Sequence, residues 1–201
     1  SEYVIVGAHY DHLGFGEEGG SREHADEKGQ IHNGADDNAS GVAALLELAA
    51  AFHSNDPLSP AEPKPKRGLI FAFWSGEEMG LLGSSHFVEH PPVALTNIVA
   101  YVNFDMVGRL RTNKLVLQGI GSSTAWPKLI ERPNIVGGFN LTLTEDPYLP
   151  TDTTAFYPKG IPVLAFFTGS HDDYHRPTDD IKTLDYAGVE RIAKFPRLLL
   201  S

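Results

Sequence analysis

The sequence predicts an α/β domain in which helices cover both faces of a largely parallel β-sheet. Short apolar runs of strand length alternate along the chain with longer segments of helical periodicity. His, Asp or Glu follows directly after several of these apolar runs. A chain of 201 residues with 41% hydrophobic composition has room for one substantial core. We therefore interpret residues 1–201 as a single domain, consistent with a piece excised from a longer chain.

Apolar runs and helical periodicity define the individual elements. The predicted strands are 3–8, 69–74, 97–106, 114–119, 141–144 and 161–167. The predicted helices are 41–52, 76–90, 123–132, 151–157 and 185–200. Asn38 or Ser40 is the predicted N-cap of the first helix, since both side chains accept hydrogen bonds from backbone N–H groups. Residues 10–36 lack usable periodicity and 55–68 are rich in proline, so both are predicted to be loops.

The composition excludes several function classes. A net charge of -10 and a pI near 5.3 argue against nucleic-acid and anionic-membrane partners, which favour basic proteins. The chain has no cysteine, so disulfides, thiolate metal sites and cysteine nucleophiles are excluded. No segment reaches the roughly 20 apolar residues of a membrane span. Ser1 is followed at once by a strand-like run, so no signal peptide is predicted within this chain.

Acidic and histidine side chains collect at the predicted carboxyl ends of the strands. They are His9 after the first strand, Asp37 before the first helix, Glu77 and Glu78 after the second strand, Asp105 after the third, and His175 after the last. In α/β sheets, ligands bind beyond these ends. Each residue alone has a plainer explanation, such as a surface histidine or an acid at a helix N-terminus. The prediction of a shared site therefore depends on their joint occurrence.

Three acids, two histidines and an adjacent glutamate suit two divalent metal ions. Imidazole and carboxylate ligands favour zinc, with Co²⁺ or Mn²⁺ as alternative metals. Two cations about 3.5–4 Å apart, sharing a bridging carboxylate and a bridging water, would offset the repulsion between Glu77 and Glu78. One glutamate would then bind metal, while its neighbour accepts the proton of the bridging water.

Five motifs resemble those of the M28 peptidases, the family of co-catalytic dizinc aminopeptidases. They are GAHYDH, GADDNASGVAALLELA, FAFWSGEEMGLLGS, VNFDMVGR and DDYHRPTDD, which occur in the family's order over nearly the whole chain. The resemblance implies a three-layer α/β/α sandwich with a mixed, eight-stranded and largely parallel central sheet. It also implies a metallopeptidase that is secreted or periplasmic and removes N-terminal residues from peptides with a free N-terminus.

The resemblance further implies a role for each residue of the site. The implied zinc ligands are His9 and Asp105 for one ion, Glu78 and His175 for the other, and Asp37 as the bridge between them. The implied catalytic residues are Glu77 as general base, Asp11 as the carboxylate that orients His9, and Tyr174 as a group that stabilises the oxyanion. Thr153 departs from the pattern, because many relatives have histidine at this position.

The remaining candidates are interpreted as structural or as determinants of specificity. Arg109 is predicted to be a salt-bridging surface group, and loops 110–111 and 145–150 are predicted to shape the specificity pocket. The histidines interpreted as non-ligands are His12, His24, His32, His53, His86 and His90, while His171 lies nearer the site and is explained equally well by solvation in a loop.

Other functions are compatible with these residue types. Dizinc carboxypeptidases and N-acyl amino acid deacylases use similar ligands, but they usually carry an inserted dimerisation domain for which this chain has no sufficient gap. Glutaminyl cyclases share the fold and bind one zinc, and a non-catalytic relative would lack part of the ligand set. The sequence does not predict the preferred N-terminal residue, the native metal or the oligomeric state.

Overall fold

The computed structural model describes residues 1–17, 20–53 and 65–200, which contain six strands and five α-helices. In chain order they are β1 (Tyr3–His9), α1 (Gly41–His53), β2 (Gly68–Trp74), α2 (Leu82–Glu89), β3 (Ile98–Phe104), β4 (Lys114–Gln118), α3 (Trp126–Gly137), β5 (Asn140–Thr144), α4 (Thr153–Phe156), β6 (Val163–Phe167) and α5 (Tyr186–Leu199). Every predicted strand and helix has a counterpart. The proline-rich loop predicted for 55–68 falls outside the described residues as far as residue 64.

The strands form one mixed sheet in the order β2-β1-β3-β6-β4-β5. Neighbouring strands are parallel except for β4 and β6, which pair antiparallel. The carboxyl ends of β2, β1, β3 and β6 therefore lie at the same edge of the sheet. This arrangement confirms the predicted α/β class with a largely parallel sheet.

The number of strands differs from the eight that the family resemblance implies. The described residues form six strands, and these correspond to the six apolar runs of strand length in the sequence. The sequence pattern was therefore the better guide to strand number, because a buried strand needs an apolar run and the described ranges contain no seventh one.

Two hydrophobic cores lie on opposite faces of the sheet and establish its three layers. Along β1, Val4, Val6 and Ala8 face one core, while Ile5 faces the other, as the two-residue period of a strand requires. The first core is completed by side chains of α1, α3 and α5. The second, smaller core is completed by side chains of α2 and α4. Among the described residues, no helix has the length and apolar character needed to cross a membrane.

The second helix begins later than predicted. Residue 76 was its expected start, but α2 begins at Leu82. The chain before it adopts left-handed backbone angles at Gly76 (φ 70°), Gly80 (φ 101°) and Leu81 (φ 60°), which no right-handed helix accommodates. Glu77 and Glu78 consequently lie in a turn, so they are not first-turn acids of a helix.

Candidate metal centre

The predicted site residues meet at the carboxyl edge of the parallel strands. His9 ends β1, Asp37 precedes α1, Glu77 and Glu78 follow β2, Asp105 follows β3, and Tyr174 and His175 lie in the loop after β6. The chain passes from β1 through α1 to β2, which pairs with one side of β1. It then returns through α2 to β3, which pairs with the other side of β1. Such a reversal leaves a crevice between the connecting segments, which is where α/β sheets bind ligands.

Two histidines face the same buried aspartate from opposite sides. His9 Nε2 is 3.3 Å from Asp37 Oδ1 and 3.5 Å from Asp105 Oδ1. His175 Nε2 is 3.2 Å from Asp37 Oδ2 and 3.1 Å from Glu78 Oε2. Asp37, only 3% exposed, thus presents one oxygen to each histidine.

These distances suit metal ligation. Two ligands bound tetrahedrally at about 2.0–2.1 Å from one zinc ion lie about 3.3 Å apart, and the four N–O distances range around this value. The donor set of imidazole nitrogen and carboxylate oxygen is also one that zinc accepts. In addition, Glu77 offers an oxygen within 4.8 Å of ligand atoms of His9 and Asp105. The residues present therefore fit a pair of metal ions that share Asp37.

The second nitrogen of each histidine is held by a backbone carbonyl. His9 Nδ1 donates to the carbonyl of Asp11 (3.2 Å), and His175 Nδ1 donates to the carbonyl of Gly20 (2.8 Å). Both bonds occupy Nδ1 and direct Nε2 at the carboxylates, so Nε2 is the nitrogen available to a metal, which is how ligating histidines are usually oriented.

The carboxylate of Asp11 does not hydrogen-bond to His9, the partner that was predicted for it. Its nearest oxygen is 3.7 Å from His9 Nδ1, beyond hydrogen-bond distance. Instead, its two oxygens accept the backbone N–H groups of Glu77 (3.1 Å) and Glu78 (3.3 Å). Asp11 thus fixes the turn that carries both glutamates, while its backbone orients His9.

A buried ion-pair network joins the loop that carries Asp37 to the loop that carries His175. Arg109, 6% exposed, donates to Asp173 and to Asp179. The other carboxylate oxygen of Asp179 accepts the backbone N–H groups of Asp36 (2.9 Å) and Asp37 (3.0 Å). The prediction of Arg109 as a surface group was therefore wrong, because sequence spacing does not show that its side chain is buried between these two loops.

Mutual hydrogen bonding shifts the pKa values of the cluster in opposite directions. Burial lowers the pKa of His9, but its bonds to Asp105 and Asp37 outweigh burial and raise the pKa to about 12. Burial likewise lowers the pKa of His175, but its bonds to Asp37 and Glu78 outweigh burial and raise the pKa to about 10. Burial raises the pKa of Asp37, yet its bonds from His175 and His9 hold that pKa below the usual range.

Among the described residues, Glu77 differs from Asp37, Glu78 and Asp105 because no histidine contacts its carboxylate. Burial raises the pKa of its carboxyl to about 8, and the nearby charges of Asp105, Asp152 and Glu78 act in the same direction against the opposing effect of His9. A carboxylate poised near neutral pH is typical of a general acid or base.

A cavity of about 290 Å³ opens beside the cluster. One wall consists of Glu77, Glu78 and the other predicted ligands, and Tyr174 stands next to them with its ring stacked on that of His175 at 3.8 Å between centroids. The rest of the lining forms a mainly apolar wall that consists of Met106, Gln118, Leu149, Pro150, Thr151, Ala165, Phe167 and Ser170. Leu149 and Pro150 belong to a loop predicted to shape this pocket, whereas residues 110–111 do not line it.

Thr151 and Thr153 lie on the segment that begins α4. Thr151 Oγ1 donates to Asp105 Oδ2 at 2.7 Å and so restrains a predicted ligand. Thr153, at the position of the family histidine, is completely buried, and its hydroxyl has no hydrogen-bond partner among the described residues. The threonine therefore supplies no polar contact to the site.

One site residue was missed by the sequence interpretation. His12, interpreted as a non-ligand, has Nδ1 at 2.9 Å from Glu78 Oε1, and the two side chains are only 9% and 7% exposed. The signal available in the sequence was its position one residue after Asp11, in the segment that leaves β1 at the site.

The comparisons with known proteins agree with the fold and the motifs. The profile of Peptidase family M28 matches residues 1–199. The chain belongs to this family of peptidases. An aminopeptidase of Pseudomonas aeruginosa is 32% identical over 177 residues, which cover 83% of this chain and 28% of that protein. The chain therefore spans less than a third of that relative's length.

Solved structures place the same fold in more than one kind of enzyme. A zinc aminopeptidase from Bacillus subtilis is 25% identical with a TM-score of 0.75, covering 98% of this chain and 45% of its own. A glutaminyl cyclase from Bacteroides thetaiotaomicron is 18% identical with a TM-score of 0.76, covering 99% of this chain and 72% of its own. Fold similarity alone thus does not distinguish an aminopeptidase from a glutaminyl cyclase. The distinction has to come from the residues of the site.

Proposed function

We propose that this chain is the catalytic domain of a dizinc aminopeptidase. His9 and Asp105 would hold one zinc ion, Glu78 and His175 would hold the other, and Asp37 would contribute a carboxylate oxygen to each. The observation that carries the proposal is the placement of the Asp37 carboxylate between the two Nε2 atoms, at 3.3 and 3.2 Å. A glutaminyl cyclase with one zinc has no need for a second histidine on this carboxylate.

The chemistry divides between the metals and three side chains. Bound zinc would polarise the scissile carbonyl and lower the pKa of a water at the site. Glu77 accepts the proton of the attacking water and delivers it to the leaving amine. Tyr174 donates a hydrogen bond to the oxyanion, and burial keeps its hydroxyl protonated by raising its pKa above the usual range. Asp11 holds the Glu77–Glu78 turn in place.

The cavity supports an exopeptidase that acts on a free N-terminus. At about 290 Å³ it lies at the small end of ligand sites, so it suits one amino-acid side chain better than an extended peptide. The apolar wall would receive the N-terminal side chain, with the scissile bond at the metal pair. Secretion, implied by the family resemblance, stays a prediction.

Metal analysis combined with a substrate panel tests this function. The purified chain should bind two zinc ions and hydrolyse aminoacyl anilides, with activity lost on chelation and restored by zinc. Cleavage of N-acetylated substrates alone would instead favour a deacylase, and one tightly bound zinc with cyclisation of N-terminal glutamine would favour a cyclase. Absence of tight zinc binding would favour a non-catalytic relative.

Zinc binding is expected to release protons. The raised pKa values of about 12 for His9 and about 10 for His175 mean that both imidazoles are protonated at pH 7.5 in the metal-free protein. Zinc binds only the neutral ring, so about two protons should leave, and zinc affinity should rise with pH. Calorimetry in buffers of different ionisation enthalpy measures this release. A binding heat independent of the buffer would contradict the prediction.

Gln118 is expected to set the charge preference for the N-terminal residue. It is the amide-bearing residue of a wall that is otherwise mainly apolar. In Gln118→Glu, a partly buried carboxylate should raise the kcat/KM ratio of lysyl over leucyl anilide by about 10- to 100-fold. Gln118→Leu is the uncharged control and should favour leucyl substrate. A ratio unchanged in both variants would place the side-chain pocket elsewhere.

A further inference from the structure

We propose that His12 is a positioning residue of the second metal site. Its ring donates a hydrogen bond to one oxygen of Glu78, so that the other oxygen is left for the metal beside His175. This inference rests on the proposed function, since it concerns one of the two proposed zinc sites. Its observable consequence is on metal affinity, separately from hydrolysis.

The contact between His12 and Glu78 fixes the tautomer of the ring. Nδ1 lies 2.9 Å from Glu78 Oε1, and an ionised carboxylate can only accept, so Nδ1 carries the proton. Nε2 is buried and has no hydrogen-bond partner among the described residues. A bare lone pair is better suited to such a position than a buried N–H group, which agrees with the proton on Nδ1.

The surroundings of His12 differ from those of the two histidines proposed as ligands. His9 and His175 each direct Nε2 at two different carboxylates and bond Nδ1 to a backbone carbonyl. His12 makes its one ion-pair contact among the described residues with the carboxylate of Glu78, has Asp37 only within 4.8 Å, and leaves Nε2 with no hydrogen-bond partner there. It therefore acts on a ligand rather than as a third nitrogen donor.

Packing holds the ring of His12 in a single place. Its centroid is 5.8 Å from that of His175, in an edge-on arrangement. Gly34 provides the space on another side, because a Cβ there would lie 2.6 Å from His12 Cγ. The N–H group therefore meets Glu78 from a fixed direction.

Engaging Oε1 has a direct consequence for the metal. A carboxylate can bind zinc through one oxygen or both, and the His12 bond disfavours the second mode. Oε2 is then aimed at the position beside His175 Nε2, 3.1 Å away. Partners of this kind typically change metal affinity by about 10- to 100-fold.

Three variants test the inference through zinc affinity and the visible absorption of the Co²⁺-loaded protein. His12→Leu removes the donor and keeps similar bulk, whereas His12→Asn retains an N–H group near the position of Nδ1. His32→Leu is the matched control, since that neighbouring buried imidazole bonds Ser21 rather than a proposed ligand. Unfolding of the metal-free variants checks that each one folds.

We expect His12→Leu to weaken only the second zinc, by about 10- to 100-fold, and to alter the Co²⁺ spectrum of that site. His12→Asn should restore most of the affinity, and His32→Leu should bind both ions normally. The inference is overturned if His12→Leu binds both ions like the wild type, if Asn and Leu lose affinity equally, or if His32→Leu shows the same loss. Wild-type protein that binds no second ion would instead overturn the proposed function.

Discussion

Replacing Glu77 by glutamine is expected to lower kcat by about 10²- to 10⁴-fold while leaving two zinc ions bound, because the amide has no basic oxygen to accept a proton. The backbone at this position is fixed by Asp11, and glutamine has nearly the same shape, so the turn should be retained. Glu77 is the proposed base because it alone among the site glutamates has no histidine partner and a pKa raised to about 8 by burial.

The measurement is single-turnover hydrolysis of an aminoacyl anilide together with zinc content per chain. The base acts in its ionised form, so activity should fall as pH drops through the Glu77 pKa, and bound cations will place that pKa below 8. Glu77→Gln should lose this dependence. Glu89→Gln, an exposed change on α2, is the control. Full hydrolysis in Glu77→Gln would exclude its role as base, and loss of zinc would identify it as a ligand.

Replacing Asp37 by asparagine is expected to have the largest effect on metal binding. Its two oxygens face His9 and His175, so one substitution removes an anionic ligand from both proposed metal sites. Losing a residue that only supports a ligand typically lowers metal affinity by about 10- to 100-fold. Losing Asp37 should lower zinc affinity by more than this, and hydrolysis should fall with it. Equilibrium dialysis against zinc, followed by metal analysis, measures this loss.

The adjacent acid supplies a matched comparison. Asp36 is also buried, but its Oδ1 accepts the N–H of Gly108 (2.6 Å) and the hydroxyl of Ser40 (3.0 Å), so it holds loops together. Asp36→Asn should therefore reduce the free energy of unfolding by about 1–3 kcal/mol in zinc-free protein, with a smaller effect on zinc affinity than Asp37→Asn. Equal zinc affinity in Asp37→Asn and wild type would contradict a bridging role.

Much of the fold was predictable because strand and helix periodicities are local properties. All six predicted strands form, and the apolar runs of β1, β3 and β6 are buried between the two helical layers. The start of α2 was missed because left-handed backbone at Gly76, Gly80 and Leu81 stops a helix whose residues otherwise favour it. Strand order and the antiparallel pairing of β4 with β6 were not predicted, because they depend on contacts between distant segments.

The site shows the same division. Ordered motifs indicated the residues His9, Asp37, Glu78, Asp105 and His175, and the structure brings them together at one edge of the sheet. The roles of the supporting residues were less predictable, because a hydrogen-bond partner is chosen by distance in space. Asp11 was expected on His9 but bonds to the Glu77–Glu78 turn.

By itself, the sequence determined the α/β class, the membership of a peptidase family and the residue types of a candidate metal centre, because periodicity and motif order are carried by neighbours along the chain. Only the tertiary structure decided that Arg109 is buried between two loops and that His12 reaches Glu78. These contacts join residues 66 and 70 positions apart, and their geometry follows from how the sheet folds those loops over one edge.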